Sequence, residues 1–200
     1  MREILLKYIP EHSVGPVEEL FKEHPCKFKI VNNRKTKHGD FKSFKPGHYQ
    51  ITINNDLNKY RFLLTLVHEM AHLVTHKNHK RIKPHGVEWK RSFQHLMLPF
   101  LSPEIYPVEV LPLLAQYLKN PKASTDADVH LSLVLKRYDE KNGKNYVFEI
   151  PAKGKFVHNK RIFEKGDKRR TRYECLELKT KRKYLFHQNA EVELLNLENE

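Results

Sequence analysis

Cysteine is scarce in this sequence, since its 200 residues contain two, Cys26 and Cys175. No C-x-x-C pair is present, so a disulfide framework and a zinc knuckle of paired cysteines are both excluded. Each cysteine is expected to be an ordinary thiol in apolar surroundings.

Long apolar runs are also missing. No stretch approaches the roughly 20 apolar residues of a membrane-spanning helix, and the N-terminal segment is too short and polar for a signal peptide. A cytoplasmic protein without a membrane partner is therefore expected. With 39% hydrophobic and 30% charged residues, the composition is typical of a globular chain.

Acidic residues are outnumbered, with 24 Asp and Glu against 37 Lys and Arg and a net charge of +13. The excess is densest in residues 136–185, which hold 17 basic and 7 acidic residues. Such a density indicates a polyanion partner, most often nucleic acid. A merely solvated basic surface is the alternative, because no base-reading motif is present.

The first third of the chain predicts a short helix and a small sheet. Residues 14–24 have apolar positions on one side, as in an amphipathic helix. Residues 26–33 and 48–54 alternate between apolar and polar, which predicts strands of a small antiparallel sheet. Between them, Gly39 and Asp40 are expected to form a turn.

A long, largely buried helix is predicted from about Leu57 to about His76, because apolar residues recur at three- and four-residue steps. Its N-terminal cap is expected among Asn54, Asn55 and Asp56. A second helix is predicted through Trp89 and Phe93, whose rings would pack between the two helices. Pro99 should end it, and Ser102 should cap a third.

The chain is expected to fold as two domains. Residues 1–119 would form an α+β domain of helices and a small antiparallel sheet, and the polar segment 120–130 would be a linker. Residues 131–200 contain short β-branched or aromatic runs separated by Gly, Asn and Lys. This pattern predicts a small, basic antiparallel β module.

The predicted long helix carries the motif H-E-x-x-H, formed by His68, Glu69 and His72. Four residues are about one helical turn, so the two imidazoles lie on one face roughly 6 Å apart. They can share a zinc ion at about 2.1 Å each. Glu69 lies beside them and can act as the general base toward water at the metal.

The third ligand has three candidates. His76 lies a further turn along the helix and cannot reach the same ion as His68 and His72. His85 follows a connection long enough to reverse the chain direction, and it opens the next helix. His85 is therefore favoured, with Glu88 and another histidine as the alternatives.

The segments "ITINNDLNKYRFLLTLVHEMAHLVTH" and "KPHGVEWKRSF" resemble the SprT-like (Spartan-type) metallopeptidase domain, over about residues 14–118. The resemblance implies a minimal zincin-like fold with one Zn2+ ion bound by His68, His72 and His85. It also implies Glu69 as the catalytic acid/base. Members of this family include DNA-dependent proteases that cut proteins crosslinked to DNA, which implies a role in DNA repair.

The C-terminal module resembles a zinc ribbon that has lost its cysteines, because only Cys175 remains there. Its aromatic residues are expected to pack in a core rather than stack on unpaired bases, although both uses are open. They are Tyr146, Phe148, Phe156, Phe163, Tyr173 and Tyr184. The candidate phosphate contacts are Lys165, Lys168, Arg169, Arg170 and Arg172.

The expected function is a zinc-dependent metalloendopeptidase acting on DNA-bound or DNA-crosslinked proteins, with single-stranded or damaged DNA as partner. The substrate strand is expected along the edge of the sheet that ends near Asn54. One alternative is a zinc peptidase that does not depend on DNA. The other is a non-enzymatic nucleic-acid-binding protein with structural zinc.

Overall fold

The computed structural model describes residues 1–34, 36–80, 83–139 and 143–195. It divides into two compact units, Met1–Asp139 and Glu140–Glu200. The expected boundary across residues 120–130 is therefore too early. Residues 140–142 and 196–200, which fall within the expected β module, lie outside the described residues.

The first unit combines six helices with a three-stranded sheet, which confirms a mixed α and β domain. The helices are α1 (Arg2–Tyr8), α2 (Val14–Glu23), α3 (Lys59–Asn78), α4 (Val87–Met97), α5 (Leu111–Leu118) and α6 (Val129–Lys136). The strands are β1 (Lys27–Val31), β2 (Gly39–Lys45) and β3 (His48–Asn54), in the order β1-β3-β2. The helix predicted over residues 14–24 is thus present as α2.

The sheet is mixed, so the expectation of an antiparallel sheet is wrong. Strand β3 lies in the middle, where Ile51 pairs with Phe28 of the parallel β1 and with Phe41 of the antiparallel β2. Gly39 and Asp40 begin β2 and do not form a turn. Because β3 is central, the free edge beside the helices belongs to β2 and not to the strand that ends at Asn54.

Helix α3 begins and ends about two residues later than predicted. Its cap is Asn58, whose side-chain oxygen accepts hydrogen bonds from the N–H groups of Tyr60 at 3.1 Å and Arg61 at 2.9 Å. The expected caps at residues 54–56 are therefore wrong. Helix α3 packs against α4 and against β2 and β3, so its side chains are buried on almost every side.

The third predicted helix begins eight residues later than expected, as α5 at Leu111. The Ser102 hydroxyl does accept a hydrogen bond from the Glu104 N–H at 3.2 Å. The turn it caps stops before Pro107, because proline has no N–H to continue a helix. Helix α4 ends at Met97, two residues before Pro99, as predicted.

The segment expected to be a linker is folded into the first unit. The Tyr117 hydroxyl donates to the Lys122 carbonyl at 2.9 Å, and residues 125–127 form a 3-10 turn. In α6, Leu131 and Leu135 are fully buried in the core of this unit. The segment belongs to this unit because the apolar side chains of the adjoining α6 are buried in its core. The polar composition of residues 120–130 does not reveal this packing.

The second unit is a six-stranded sheet with every pair antiparallel, as predicted for the β module. Its strands are β4 (Asn145–Tyr146), β5 (Lys155–His158), β6 (Arg161–Arg169), β7 (Arg172–Glu177), β8 (Lys183–His187) and β9 (Glu191–Leu194). Their order is β4-β9-β5-β6-β7-β8. One face buries a small core around Val147, Ile150, Phe156 and Phe163.

The two cysteines are free thiols. Cys175 is buried in the second unit's core, and Cys26 is half-buried in the first unit. Burial raises the pKa of Cys26 to about 11, so its thiol stays protonated at neutral pH. Among the described helices, none is both long and apolar enough to cross a membrane.

Candidate metal centre

Helix α3 presents His68 and His72 on one face, one turn apart, with ring centroids separated by 5.0 Å. The apolar stripe of α3 faces the core, so this polar pair lies at the border of a buried helix. His68 is only 8% exposed. Buried polar rings of this kind need partners, which a metal ion or hydrogen bonds can supply.

His85 completes a group of three imidazoles. Its Nε2 atom lies 3.1 Å from the Nε2 of His68 and 3.0 Å from the Nε2 of His72. Nitrogens bound to one zinc ion at about 2.1 Å are roughly 3.4 Å apart in a tetrahedral site. The donor set and its spacing therefore fit zinc.

The backbone at His85 adopts a left-handed conformation with φ of 57°. Such a conformation is uncommon for a residue other than glycine, and it occurs where the surrounding structure enforces it. Here the turn closes with a hydrogen bond from the Gly86 N–H to the Lys83 carbonyl at 2.9 Å. The turn aims the His85 ring back toward α3 before α4 begins.

Trp89 packs against all three histidines. Its ring centroid lies 4.6 Å from that of His68, 5.3 Å from that of His72 and 4.7 Å from that of His85. Phe93 stacks on Trp89 with ring centroids 5.1 Å apart, and its ring centroid lies 5.6 Å from that of His68. The expected packing role of both aromatics is present, and their rings also restrict the orientation of the imidazoles.

The histidines are held in the neutral form that binds metals. Burial, with a smaller effect of the neighbouring imidazoles, lowers the pKa of His68 to about 2 and that of His72 to about 4. Burial also lowers the pKa of His85. At neutral pH each ring therefore has one unprotonated nitrogen whose lone pair can bind a metal ion.

Glu69 lines the same cleft as the three histidines, together with Gly39, Phe41 and Ala123. It is 7% exposed. Burial raises the pKa of Glu69 to about 8, and the nearby Asp40 acts in the same direction. A hydrogen bond from the Phe41 backbone N–H opposes this effect, and a cation at the histidines would favour the carboxylate further.

Gly39 was not predicted as a site residue, yet it permits the close approach of β2 to α3. A Cβ atom at this position would lie 2.7 Å from Glu69 Oε1 and 2.7 Å from Thr65 Cγ2. Both distances are well below van der Waals contact. The turn expected at Gly39 concealed this role, which depends on contact between distant segments.

An ion-pair network anchors the loop of residues 123–128 beside the cleft. Asp126 accepts hydrogen bonds from Arg61 Nη1 and from His38 Nε2, each at 2.7 Å. Burial alone would raise the pKa of Asp126, but the His38 hydrogen bond and the Arg61 charge together hold it well below its usual range. The network joins α3, the start of β2 and the segment expected to be a linker.

The other predicted residues lie elsewhere. In the described part of the chain, the group of His, Cys, Asp and Glu side chains able to hold a metal is His68, His72 and His85. Glu88 therefore does not join it. His79 is exposed, and His76 packs on Phe41, with ring centroids 5.7 Å apart, instead of facing the metal site.

The five basic residues predicted to contact phosphate differ in their exposure to solvent. Lys168, Arg169, Arg170 and Arg172 are exposed near the turn between β6 and β7. Lys165 is 7% exposed, and its ammonium donates to the carbonyls of Phe148, at 3.0 Å, and of Ile150, in and just after the 3-10 turn Val147–Glu149. Two of the three N–H donors of Lys165 are thus already used inside the unit, and its burial argues against the expected contact with phosphate.

The aromatic residues of the second unit mostly pack inside it. Tyr146, Phe156 and Phe163 are no more than 4% exposed, and the Phe156 and Phe163 rings stack at 5.6 Å. Tyr173 and Tyr184 are half-buried. No cluster of metal ligands occurs among residues 143–195, so the resemblance to a zinc ribbon remains a prediction.

Comparison with known proteins identifies the first unit. Residues 15–106, just under half of the chain, match the model of the SprT-like family. This range includes H-E-x-x-H, His85 and the sheet that borders the cleft. No solved structure gives a significant match to the chain. The part of the chain that holds the candidate metal centre is therefore similar to the SprT-like family.

Proposed function

We propose that this protein is a zinc-dependent metalloendopeptidase. The observation that carries the proposal is the convergence of three neutral imidazoles, with His85 Nε2 3.1 Å from His68 Nε2 and 3.0 Å from His72 Nε2, beside the buried carboxyl group of Glu69. Three histidines and a neighbouring glutamate are the minimal equipment for hydrolysis of a peptide bond assisted by a metal.

His68, His72 and His85 would hold the ion. Among the described residues three protein ligands would hold the ion, one fewer than in a structural zinc site, which would leave a position open to the cleft. Zinc in such a site supplies Lewis acidity toward the scissile carbonyl and lowers the pKa of water. This open position favours the enzyme over the alternative of a binding protein with structural zinc.

Glu69 acts as the general base. Its carboxylate takes the proton of the attacking water and then delivers it to the amine that leaves, so that one group serves both steps. Burial leaves the Glu69 carboxyl group poorly solvated, and a cation at the histidines would keep it ionised and able to accept a proton. The Phe41 N–H holds one end of the side chain, so its direction is set before a substrate binds.

The substrate is proposed to bind as an extended strand along the free edge of β2. The His38 carbonyl accepts from the Asn54 N–H at 2.9 Å, so residues 38, 40 and 42 pair with β3. By alternation, the polar backbone groups of Gly39, Phe41 and Ser43 face the free edge. These groups border the metal site and, apart from the Phe41 N–H that donates to Glu69, are suited to β-strand addition.

The partner and substrate class are proposed from charge and family. The exposed Lys168, Arg169, Arg170 and Arg172 place four cations within five residues, a density suited to single-stranded or damaged DNA. Arg169 also pairs with Glu174 at 2.8 Å, so it contributes less than its formal charge. DNA held there would bring DNA-bound or DNA-crosslinked proteins to the protease.

The test compares zinc-loaded wild type with Glu69→Gln on a DNA-bound protein, each with and without single-stranded DNA. We expect cleavage by the wild type only, with a loss of roughly 100- to 10,000-fold in Glu69→Gln. Identical product patterns from both would exclude a protease. Wild-type cleavage of free peptides at a rate insensitive to DNA and salt would favour the DNA-independent peptidase.

A further inference from the structure

Three aromatic rings form a cluster that the proposed mechanism does not use. Phe41 lies on β2, Tyr49 on β3 and His76 near the end of α3. The ring centroids of Phe41 and Tyr49 are 6.1 Å apart. The centroid of the His76 ring lies 5.7 Å from that of Phe41 and 5.8 Å from that of Tyr49. We name these residues the Phe41–Tyr49–His76 cluster.

The cluster is continuous with the metal site. Phe41 lines the cleft that contains the three metal-binding histidines and Glu69, and its backbone N–H holds Glu69. His76 lies one helical turn beyond His72 on α3. A chain bound in the cleft would therefore lie beside Phe41, and the other two rings adjoin Phe41.

The cluster is open to solvent, although it continues a buried layer. Ile51 and Ile53 of β3 face α3 and are fully buried, and Tyr49 lies on the same side of that strand. At Tyr49 the layer ends, since Phe41 and Tyr49 are half-buried and His76 is exposed. Apolar surface beside a catalytic cleft is a common feature of substrate subsites.

We propose that the Phe41–Tyr49–His76 cluster is a specificity subsite that receives a large apolar or aromatic side chain of the substrate. The inference rests on the proposed peptidase function. A chain added to the edge of β2 places its side chains alternately toward α3 and away from it. The substrate residue directly opposite Phe41 would point its side chain toward α3. Its Cβ atom would lie about 5 Å from that of Phe41, which is the usual distance between side chains paired across two strands.

The experiment maps cleavage sites in a peptide mixture by mass spectrometry, with single-stranded DNA present throughout. Wild type, Phe41→Ala and His76→Ala are compared, and zinc content is measured for each. Phe44→Ala is the matched control, because Phe44 lies on the same strand, is 68% exposed and makes no ring contact with the described aromatic residues. Each chosen peptide is paired with a version that has alanine at the preferred position.

The wild type should prefer an aromatic or large aliphatic residue at one position relative to the cut. In Phe41→Ala and His76→Ala, kcat/KM should fall about tenfold for those peptides and change little for their alanine versions. Phe44→Ala should behave as wild type. An unchanged preference in both variants, or an equal loss on every peptide, would overturn the subsite.

A third result points to another ligand. If both variants retain the peptide preference but lose affinity for single-stranded DNA, the cluster stacks on bases and the subsite is wrong. A failure of the proposed function would give a different result. The wild type would then show no cleavage beyond that of Glu69→Gln. That outcome overturns the peptidase and the subsite together.

Discussion

The substitution Gly39→Ala tests whether the close approach of β2 to α3 positions the catalytic carboxylate. The added Cβ would lie 2.7 Å from Glu69 Oε1 and from Thr65 Cγ2. Carbon atoms in contact are about 3.5–4.0 Å apart, so a displacement close to 1 Å is needed to relieve the overlap. Thr65 is short and fixed on α3, so either Glu69 rotates or β2 moves outward.

A 1 Å misplacement of a catalytic group can reduce the rate by about 100-fold, which corresponds to about 2.7 kcal/mol. We therefore expect kcat/KM of Gly39→Ala to fall by that order. The atoms nearest to the new Cβ belong to Glu69 and Thr65 and not to the three histidines, so the zinc content should stay at the wild-type level. The free energy of unfolding should fall by about 1–3 kcal/mol through overpacking.

The assay is steady-state cleavage of a fluorogenic peptide, with zinc content and urea unfolding of the same samples. Gly15→Ala is the matched control, because nothing lies within 4 Å of the Cβ it would add to α2. Combined with Glu69→Gln, Gly39→Ala should cost little further activity, since both changes act on one group. Full activity of Gly39→Ala would refute the reasoning, as would loss of its zinc.

Three further predictions concern the metal, acid stability and DNA. His85→Ala should bind zinc more than about 100-fold more weakly in a competition with a chelator, whereas Glu88→Gln should bind it as the wild type does. Asp126 has a folded-state pKa below its unfolded value of about 3.9, so the stability it contributes is present above that pH and lost as pH falls below it. Asp126→Asn should therefore be less stable by about 2 kcal/mol at pH 7 and should lose less of its stability between pH 5 and pH 3, as urea unfolding would show. Arg170→Ala should lower the salt slope of single-stranded DNA binding by about 0.7, and Lys165→Met should leave the slope unchanged, because the Lys165 ammonium is buried.

The sequence alone predicted the local part of the candidate site. Helical spacing placed His68 and His72 on one face of a long helix with Glu69 beside them, because a helix of 3.6 residues per turn leaves little freedom. The break before α4 indicated that His85 could return, and the structure brings it there. Helices α2 and α4 and the strands near residues 26–33 and 48–54 were predicted for the same reason, from short-range patterns of burial.

The partners of each segment across the fold were decided by the tertiary structure. The parallel pairing of β1 with β3, the free edge at β2 and the anchoring of residues 123–128 by Asp126 all join segments far apart in sequence. The close approach of Gly39 to Glu69 and the burial of Lys165 also depend on segments that are far apart in sequence. Periodicity shows which face of an element is buried, but the neighbour is chosen by packing and hydrogen bonding over the whole unit.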